Sequence, residues 1–386
     1  MAFPKYGVCN RMKIIIIGTT ASSIYSFRKD LIQSLTREGN EIYAFISEYQ
    51  NDDLLKVKEL GAFPVIYNQN RGGLNPLADI KSTLKLAKTI KSINPDIVFS
   101  YFVKPVIFGT LAAKIAKVPK IVGMLEGLGY SFTEQPEGFS KKAKVIKSIQ
   151  IALYKLALPQ LDNLIFLNPD DPQDLIKKYS IKVKNIHVLG GIGLDLEDYT
   201  YQTPPNTNTI NFLFIGRLLK EKGIHEFISA TKIVKKDYPS AKFTVLGAID
   251  EANPGALKKS ELDQLISSGI VDYPGHVDNI TDWIANNHVF VLPSYREGVP
   301  RSTQEAMAIG RPVITTDVPG CRDTVVDGVN GFLVEKWNPE ALAKKMIYYI
   351  ENPDQIKKMG LESYKIAQEK FDVHRVNKRL LKILGV

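Results

Sequence analysis

Cysteine is nearly absent from these 386 residues. Only Cys9 and Cys321 occur, far apart in the chain, which excludes a disulfide framework and a paired-cysteine zinc site. The five histidines, His187, His225, His276, His288 and His374, are scattered, with no H-E-x-x-H or comparable cluster, so no metal-binding pattern is present. No apolar run approaches the roughly 18 residues that span a bilayer. The stretch from Met1 to Arg11 has no apolar centre ahead of the first strand and is not expected to be a secretory leader. A soluble or peripheral cytosolic protein is expected. Acid is the scarcer charge: 41 Asp and Glu against 50 Lys and Arg leave a net +9. That balance suits an anionic partner, whether nucleic acid, phosphorylated small molecule or membrane surface, or marks a protein that is merely basic. With 44% hydrophobic and 24% charged residues the composition is ordinarily globular, and the length predicts two domains.

The run Lys13-Ile14-Ile15-Ile16-Ile17, ending at Gly18, reads as a strand buried on both faces. A polar loop, 19–23, leads into a helix through about Glu38, closed by Gly39. Strands over 41–46, 63–67, 97–100 and 120–124 then alternate with helices over 53–60, 77–93 and 106–117, the one over 77–93 stopped by Asn94-Pro95. Such alternation predicts a parallel sheet with right-handed crossovers. Residues 195–209, polar and carrying Pro204-Pro205, read as a linker, after which the alternation restarts. Strands are expected at 211–215, 242–246, 271–273, 288–292 and 312–315, with helices at 223–237, 258–267, 280–285 and 303–309. The expected architecture is two doubly wound α/β domains in series. Ligands should bind in the cleft beyond the carboxyl ends of the strands.

Two strand ends carry the chemistry-bearing residues of the second half. After the strand 211–215 come Gly216-Arg217-Leu218-Leu219-Lys220-Glu221-Lys222-Gly223 and a helix. Arg217 and Lys222 beside a helix N-terminus suit a diphosphate, although a solvated basic loop would look the same. The segment is neither a Walker A loop nor a G-x-G-x-x-G fingerprint. In 293–305 (PSYREGVPRSTQE) two carboxylates stand eight positions apart, Glu297 in a loop and Glu305 in the first turn of a helix. Ser302-x-x-Glu305 also reads as a capping box, which would give Glu305 a purely structural duty. Glu297 has no such duty and is placed to accept hydrogen bonds from sugar hydroxyls.

These segments, with Ala306-Met307-Ala308-x-Gly310-x-Pro312-Val313 and Asp327-Gly328-x-x-Gly331, resemble the retaining glycosyltransferases of family 4, which have the GT-B fold. The resemblance implies two Rossmann-like domains around a cleft: 1–198 for the acceptor, 209–371 for the donor, with a terminal helix of about 372–386 packing back on the first. It implies that Arg217 and Lys222 hold the donor diphosphate, that Glu297 contacts sugar hydroxyls and Glu305 the ribose. The backbone around Val299, Pro300, Arg301 and Ser302 would face sugar and phosphate, and Gly18 and Gly216 complete the donor set. Leu125-Glu126-Gly127-Leu128-Gly129 has Glu126 where many members carry histidine, so Glu126 either joins the chemistry or is an ordinary loop residue. This segment, with Ser23-Ile24-Tyr25-x-Phe27-Arg28 and Leu74-Asn75-Pro76, is similar to transferases that add N-acetylgalactosamine or a related hexose to undecaprenyl-diphosphate glycans.

No D-x-D element, the usual device for holding UDP through a divalent ion, occurs in the chain. Metal-independent transfer from a UDP-sugar, with no cofactor and no nucleic acid, is therefore expected, the developing charge on UDP meeting Arg217, Lys222 and helix N-termini. Phe139–Leu158 (FSKKAKVIKSIQIALYKLAL) has lysines at 141, 142, 144, 147 and 155, no acid, and an apolar stripe of Val145, Ile149, Ala152, Leu153 and Leu156. It reads either as a helix lying on an anionic membrane at the inner face of the plasma membrane or as one packing its stripe on the core. Two other functions fit the same fold: a UDP-sugar epimerase and a non-catalytic nucleotide-sugar-binding protein.

Overall fold

The structure, a computed structural model, describes residues 11–50, 52–69, 76–250, 253 and 255–386. Cys9 and the Leu74-Asn75 part of the third motif lie outside them. Seven parallel strands form the first sheet: β1 Lys13–Ile17, β2 Glu41–Ile46, β3 Ala62–Ile66, β4 Ile97–Tyr101, β5 Lys120–Leu125, β6 Asn163–Phe166 and β7 Ile186–Val188. Six form the second: β8 Asn211–Ile215, β9 Lys242–Leu246, β10 Asp272–Gly275, β11 Val289–Leu292, β12 Val313–Thr316 and β13 Gly331–Val334. Their orders are β3-β2-β1-β4-β5-β6-β7 and β10-β9-β8-β11-β12-β13. Each sheet therefore winds outward from its first strand in both directions, and a crevice opens at the reversal beside β1 and β8. The isoleucines Ile14 to Ile17 are fully buried, as a central strand covered on both faces requires.

Three strands escape a reading of the sequence: β6 and β13 have four residues each and β7 has three, with Ile186 and Val188 exposed at the sheet edge. The single helix expected through Glu38 is instead two, Ala21–Phe27 and Lys29–Arg37, broken at Arg28 with φ −121°. That break lets the Arg28 side chain turn inward, where it is 3% exposed.

Residues 195–209 carry no helix or strand, and buried Arg311 fastens them: its guanidinium donates to the carbonyls of Gln202 (2.9 Å), Ile284 (3.0 Å) and Ala285 (3.0 Å). Burial brings its pKa down to about 10. The last helix, Val373–Leu384, lies against Lys29–Arg37, and the Asn163 amide donates to the Ile383 carbonyl (3.2 Å). The chain thus ends on the unit where it began.

The helix Lys141–Ala157 packs by an unexpected face. Its buried side chains are Ala143, Gln150, Tyr154 and Ala157, with Gln150 bonded to Ser131 (2.5 Å), the Leu128 carbonyl (3.2 Å) and Tyr154 (3.1 Å). Most of the apolar stripe points outward: Val145 is 59% exposed, Ile149 42% and Leu156 58%. Leu153 alone leans on the core. Lys141, Lys142, Lys144 and Lys155 are exposed beside the stripe, whereas Lys147 is turned the other way and does not belong with them. No helix among the described residues is long and apolar enough to cross a membrane.

At Gly223 the backbone is left-handed (φ 76°), and an added Cβ would fall 2.0 Å from the Pro293 carbonyl oxygen. Gly223→Ala should destabilise the second unit by about 2 kcal/mol. Both tryptophans, Trp283 and Trp337, lie in that unit, so urea unfolding followed by their fluorescence measures it. An unchanged midpoint would contradict the strain.

Candidate active site

A cleft of about 700 Å³ separates the two sheets at their carboxyl ends. From the first unit it is lined by the loops after β1, β4 and β5, including Thr19, Lys104 and Glu126. From the second it is lined by Arg217, Glu221 and Lys222 after β8 and by Arg296, Glu297 and Gly298 after β11. Four of the residues singled out in the sequence, Glu126, Arg217, Lys222 and Glu297, thus share one space. Lys222 Nζ lies 2.5 Å from Glu297 Oε1, an ion pair between the strand ends of β8 and β11. Arg217 is half exposed and reaches Asp250 at 3.4 Å.

Glu126 is not an idle loop residue. Its carboxylate meets the Arg28 guanidinium, which is buried, stacked 4.4 Å over the Tyr101 ring and also bonded to the Phe27 carbonyl (3.0 Å). Burial lowers the Arg28 pKa to about 10, with Tyr101 opposing and Arg301 reinforcing the shift. The Tyr101 hydroxyl is bonded in turn to Ser23 (2.8 Å). Arg28 and Ser23 both belong to the Ser23–Arg28 motif, so that motif serves to hold Glu126 at the cleft. Gly18 stands apart: a Cβ there would lie 2.2 Å from the Tyr101 hydroxyl, so its small size makes room for this network and it does not line the cleft.

Gly216, Val299, Pro300, Arg301, Ser302 and Glu305 also fall outside the cleft lining. The helix they lead into is Arg301–Ala308, preceded by Pro300, and the capping box is not formed. Ser302 sits within the first turn and donates to the Ile215 carbonyl (3.2 Å). The Glu305 carboxylate turns to Arg301 (2.9 Å) and to the Tyr199 hydroxyl (3.0 Å). A proline, without a side-chain acceptor, precedes the first turn, which explains why no cap forms. Among the described residues no group of three His, Cys, Asp or Glu side chains is arranged to hold a metal ion.

The contacts that fix Glu297 come from a segment the sequence reading passed over. Asn168, fully buried at the end of β6, donates to the carbonyls of both Glu297 (3.3 Å) and Gly298 (2.8 Å). Its own Oδ1 accepts from the Asp171 amide (2.9 Å). Asp171 is fully buried and pairs with Arg296, which also meets Asp174 at 2.7 Å. Burial outweighs Arg296 and raises the Asp171 pKa to about 6. Asp170 pairs with Arg322 at 3.1 Å. Asn168-Pro169-Asp170-Asp171 directly after an apolar run was the available signal.

Comparison with known proteins shows the family. Residues 13–168 fit the description "Glycosyl transferase 4-like" and residues 197–366 "Glycosyl transferases group 1". A capsular polysaccharide biosynthesis glycosyltransferase of Staphylococcus aureus is 30% identical over 76% of this chain and 77% of its own. The chain belongs to the group 1 glycosyltransferases. An N,N'-diacetylbacillosaminyl-diphospho-undecaprenol alpha-1,3-N-acetylgalactosaminyltransferase of Campylobacter jejuni is 29% identical over 96% of this chain and 98% of its own. A UDP-Gal:alpha-D-GlcNAc-diphosphoundecaprenol alpha-1,3-galactosyltransferase of Escherichia coli is 27% identical over 67% of each. Among solved structures, an Anabaena protein crystallised with UDP and glucose superposes with a TM-score of 0.77 at 19% identity, covering 97% of this chain and all of that one. The sucrose-phosphate synthase of Thermosynechococcus elongatus superposes at 0.78 and 16%, covering 97% and 98%. The fold of this glycosyltransferase is GT-B.

The transferase has placed two carboxylates and their cationic partners on facing walls, with the Glu297 backbone gripped from the opposite unit. Asn168→Ala should reduce sugar transfer on the order of 10- to 100-fold by loosening that grip. UDP affinity, measured by calorimetry, should stay the same. Full turnover in the variant would remove Asn168 from the site.

Proposed function

We propose that this glycosyltransferase moves an N-acetylgalactosamine or galactose-type sugar, with retention, from a UDP-sugar to an undecaprenyl-diphosphate-linked glycan during assembly of a bacterial surface glycan. The observation that carries the reading is the Lys222–Glu297 pair at the mouth of β8 and β11, beside Arg217. It puts cations for a departing diphosphate next to a carboxylate for sugar hydroxyls. The activities named for the Campylobacter and Escherichia relatives support the donor and acceptor classes.

In this reading Arg217 and Lys222 take the diphosphate, and Glu297 orients the sugar. Glu305 serves the ribose, and the N–H groups of Val299 to Ser302 face sugar and phosphate. Gly216 leaves room for the nucleotide at the end of β8. The growing charge on UDP is met by cations already in the cleft, an electrostatic stabilisation of the kind that lowers the barrier most. Glu297 is held by Lys222 and Glu126 by Arg28, so neither is a free nucleophile. Same-face attack, with the donor phosphate accepting the acceptor's proton, fits that arrangement. Membership of a glycosyltransferase family does not favour an epimerase or a binding protein without turnover.

The deciding experiment incubates the protein with a panel of UDP-sugars and lipid-linked acceptors, followed by mass spectrometry. The lipid-linked glycan should gain one hexose or N-acetylhexosamine. Interconversion of free UDP-sugars without an acceptor would replace this reading by the epimerase, and binding without turnover by the non-catalytic protein.

The scheme needs no metal, because Arg217 and Lys222 supply the positive charge that a D-x-D-bound ion would otherwise bring. Transfer should survive excess EDTA; its loss on chelation and return with magnesium or manganese would overturn the scheme.

The same proposal places the protein on the cytoplasmic face of the plasma membrane through 139–158. Support comes from the outward stripe of Val145, Ile149 and Leu156 with exposed lysines on both sides. Each lysine near an anionic surface contributes on the order of 1 kcal/mol. Replacing Lys141, Lys142, Lys144 and Lys155 by Glu should abolish co-sedimentation with phosphatidylglycerol vesicles and leave UDP affinity unchanged. Undiminished sedimentation would remove this helix as the contact.

A further inference from the structure

A second cavity, of about 900 Å³, lies between the two units on the far side of the Glu297 loop, and Arg296 lines both it and the reaction cleft. Three of the five carboxylates on its wall are paired with a cation, Glu134 with Lys336 (2.7 Å), Asp174 with Arg296 (2.7 Å) and Asp317 with Arg322 (2.7 Å), while Asp327 and Glu335 accept from the Leu333 amide (2.9 Å) and the Asn338 side chain (3.4 Å). Two lysines on the wall, Lys147 and Lys178, have no carboxylate within ion-pair distance among the described residues. Lys147 is held between two phenyl rings, its ammonium 4.5 Å from the centre of Phe132 and 4.6 Å from that of Phe139. Burial, then the charges of Lys178 and Arg296, push its pKa down, against a smaller upward pull from Asp174 and Glu134. A partly desolvated ammonium that faces other cations is costly unless an anion joins it, and the ring faces offset only part of that cost.

We infer that Lys147 and Lys178 form the site for the diphosphate of the lipid-linked acceptor. This rests on the acceptor class proposed above. Three features of the structure converge on it. Lysine supplies a point charge with no fixed fork, which suits a phosphate whose sugar must be free to reorient. Lys147 projects from the side of helix Lys141–Ala157 opposite its exposed apolar stripe. A helix is about 10–12 Å across, so with the stripe in the headgroup plane an anion at Lys147 stays within reach of a lipid still seated in the membrane. Finally, Arg296 borders both spaces, so a sugar attached to that diphosphate extends past Arg296 towards Glu297. The acceptor then enters from the side opposite Arg217, and donor and acceptor do not compete for one set of cations.

The test has two arms. In the first, inorganic pyrophosphate is titrated calorimetrically into the protein saturated with UDP. One further site is expected, weakened roughly tenfold in Lys147→Gln and in Lys178→Gln, the worth of a charged hydrogen bond. Lys178 is exposed, so its variant does not disturb folding. Absence of a second pyrophosphate site overturns the inference whether or not sugar is transferred, which separates its failure from that of the proposed function. In the second arm, acceptor KM is measured for a polyprenyl-diphosphate-linked sugar and for a soluble glycoside of the same sugar without phosphate. Both variants should raise KM roughly tenfold for the first and leave it unchanged for the second. Equal effects on the two acceptors, or none on either, would show that the lysines do not read the lipid diphosphate.

Discussion

The peptide joining Glu297 to Gly298 is held from both halves of the molecule, and the geometry of the cleft hangs on it. One side-chain amide, that of Asn168, satisfies both carbonyls across the domain boundary. Gly298 comes so close to the opposite unit that a Cβ would lie 2.1 Å from the Glu126 carbonyl oxygen. The two carboxylates of the cleft are therefore located relative to each other by backbone contact, with no long side chain in between. Beside this contact Asp171, fully buried, is paired with Arg296. Burial raises the Asp171 pKa to about 6 in spite of the guanidinium it faces. Breaking such a pair leaves a buried charge uncompensated, which costs far more than the pair itself contributes. The grip on Glu297 is thus local in extent and expensive to undo.

Charge in the cleft is balanced before any substrate arrives. Glu126 is matched by Arg28 and Glu297 by Lys222, so the carboxylates are oriented acceptors with their charge already answered. Arg217 differs, being half exposed and only loosely paired with Asp250 at 3.4 Å. In the proposed reading an arriving diphosphate would meet one cation that is fixed in place, Lys222, and one that is free to swing towards it, Arg217. Pre-set partners of this kind reduce the reorganisation that a reacting charge would otherwise demand.

Much of this was legible in the sequence, and what was not has physical reasons. Buried parallel strands such as Ile14–Ile17 and Phe212–Phe214 declare themselves because burial on both faces demands continuous β-branched or aromatic residues. Arg217, Lys222, Glu126 and Glu297 were singled out from their places at strand ends, and the structure brings all four to one cleft. Short strands like β7 fail the same reading, since an edge strand of three residues has no period to detect. The Ser302–Glu305 spacing misled for a different reason. The same four residues satisfy a capping box and a helix interior, and only the position of Pro300 decides between them. The place of Asn168 and Asp171 after an apolar run was a signal, but their roles could not be assigned from sequence, because Arg296 and the Glu297 and Gly298 carbonyls are 125 to 130 residues away.

Helix Lys141–Ala157 shows how far periodicity goes and where it stops. The pattern of apolar residues fixes which side chains share a stripe, but it does not say which stripe meets the protein. Here the core takes Gln150 and Tyr154, whose polar atoms are satisfied by Ser131 and the Leu128 carbonyl, so a polar face is buried at little loss. The apolar stripe is left to the outside with lysines at its borders. A sequence that keeps valine, isoleucine and leucine in water while paying for a hydrogen-bonded glutamine inside is shaped by something beyond its own fold. The opposite face carries Lys147, which has no carboxylate within ion-pair distance among the described residues and is held instead by two phenyl rings. The outward apolar surface and this inward cation, on two sides of a single helix, are what the proposed contact with a lipid diphosphate would use.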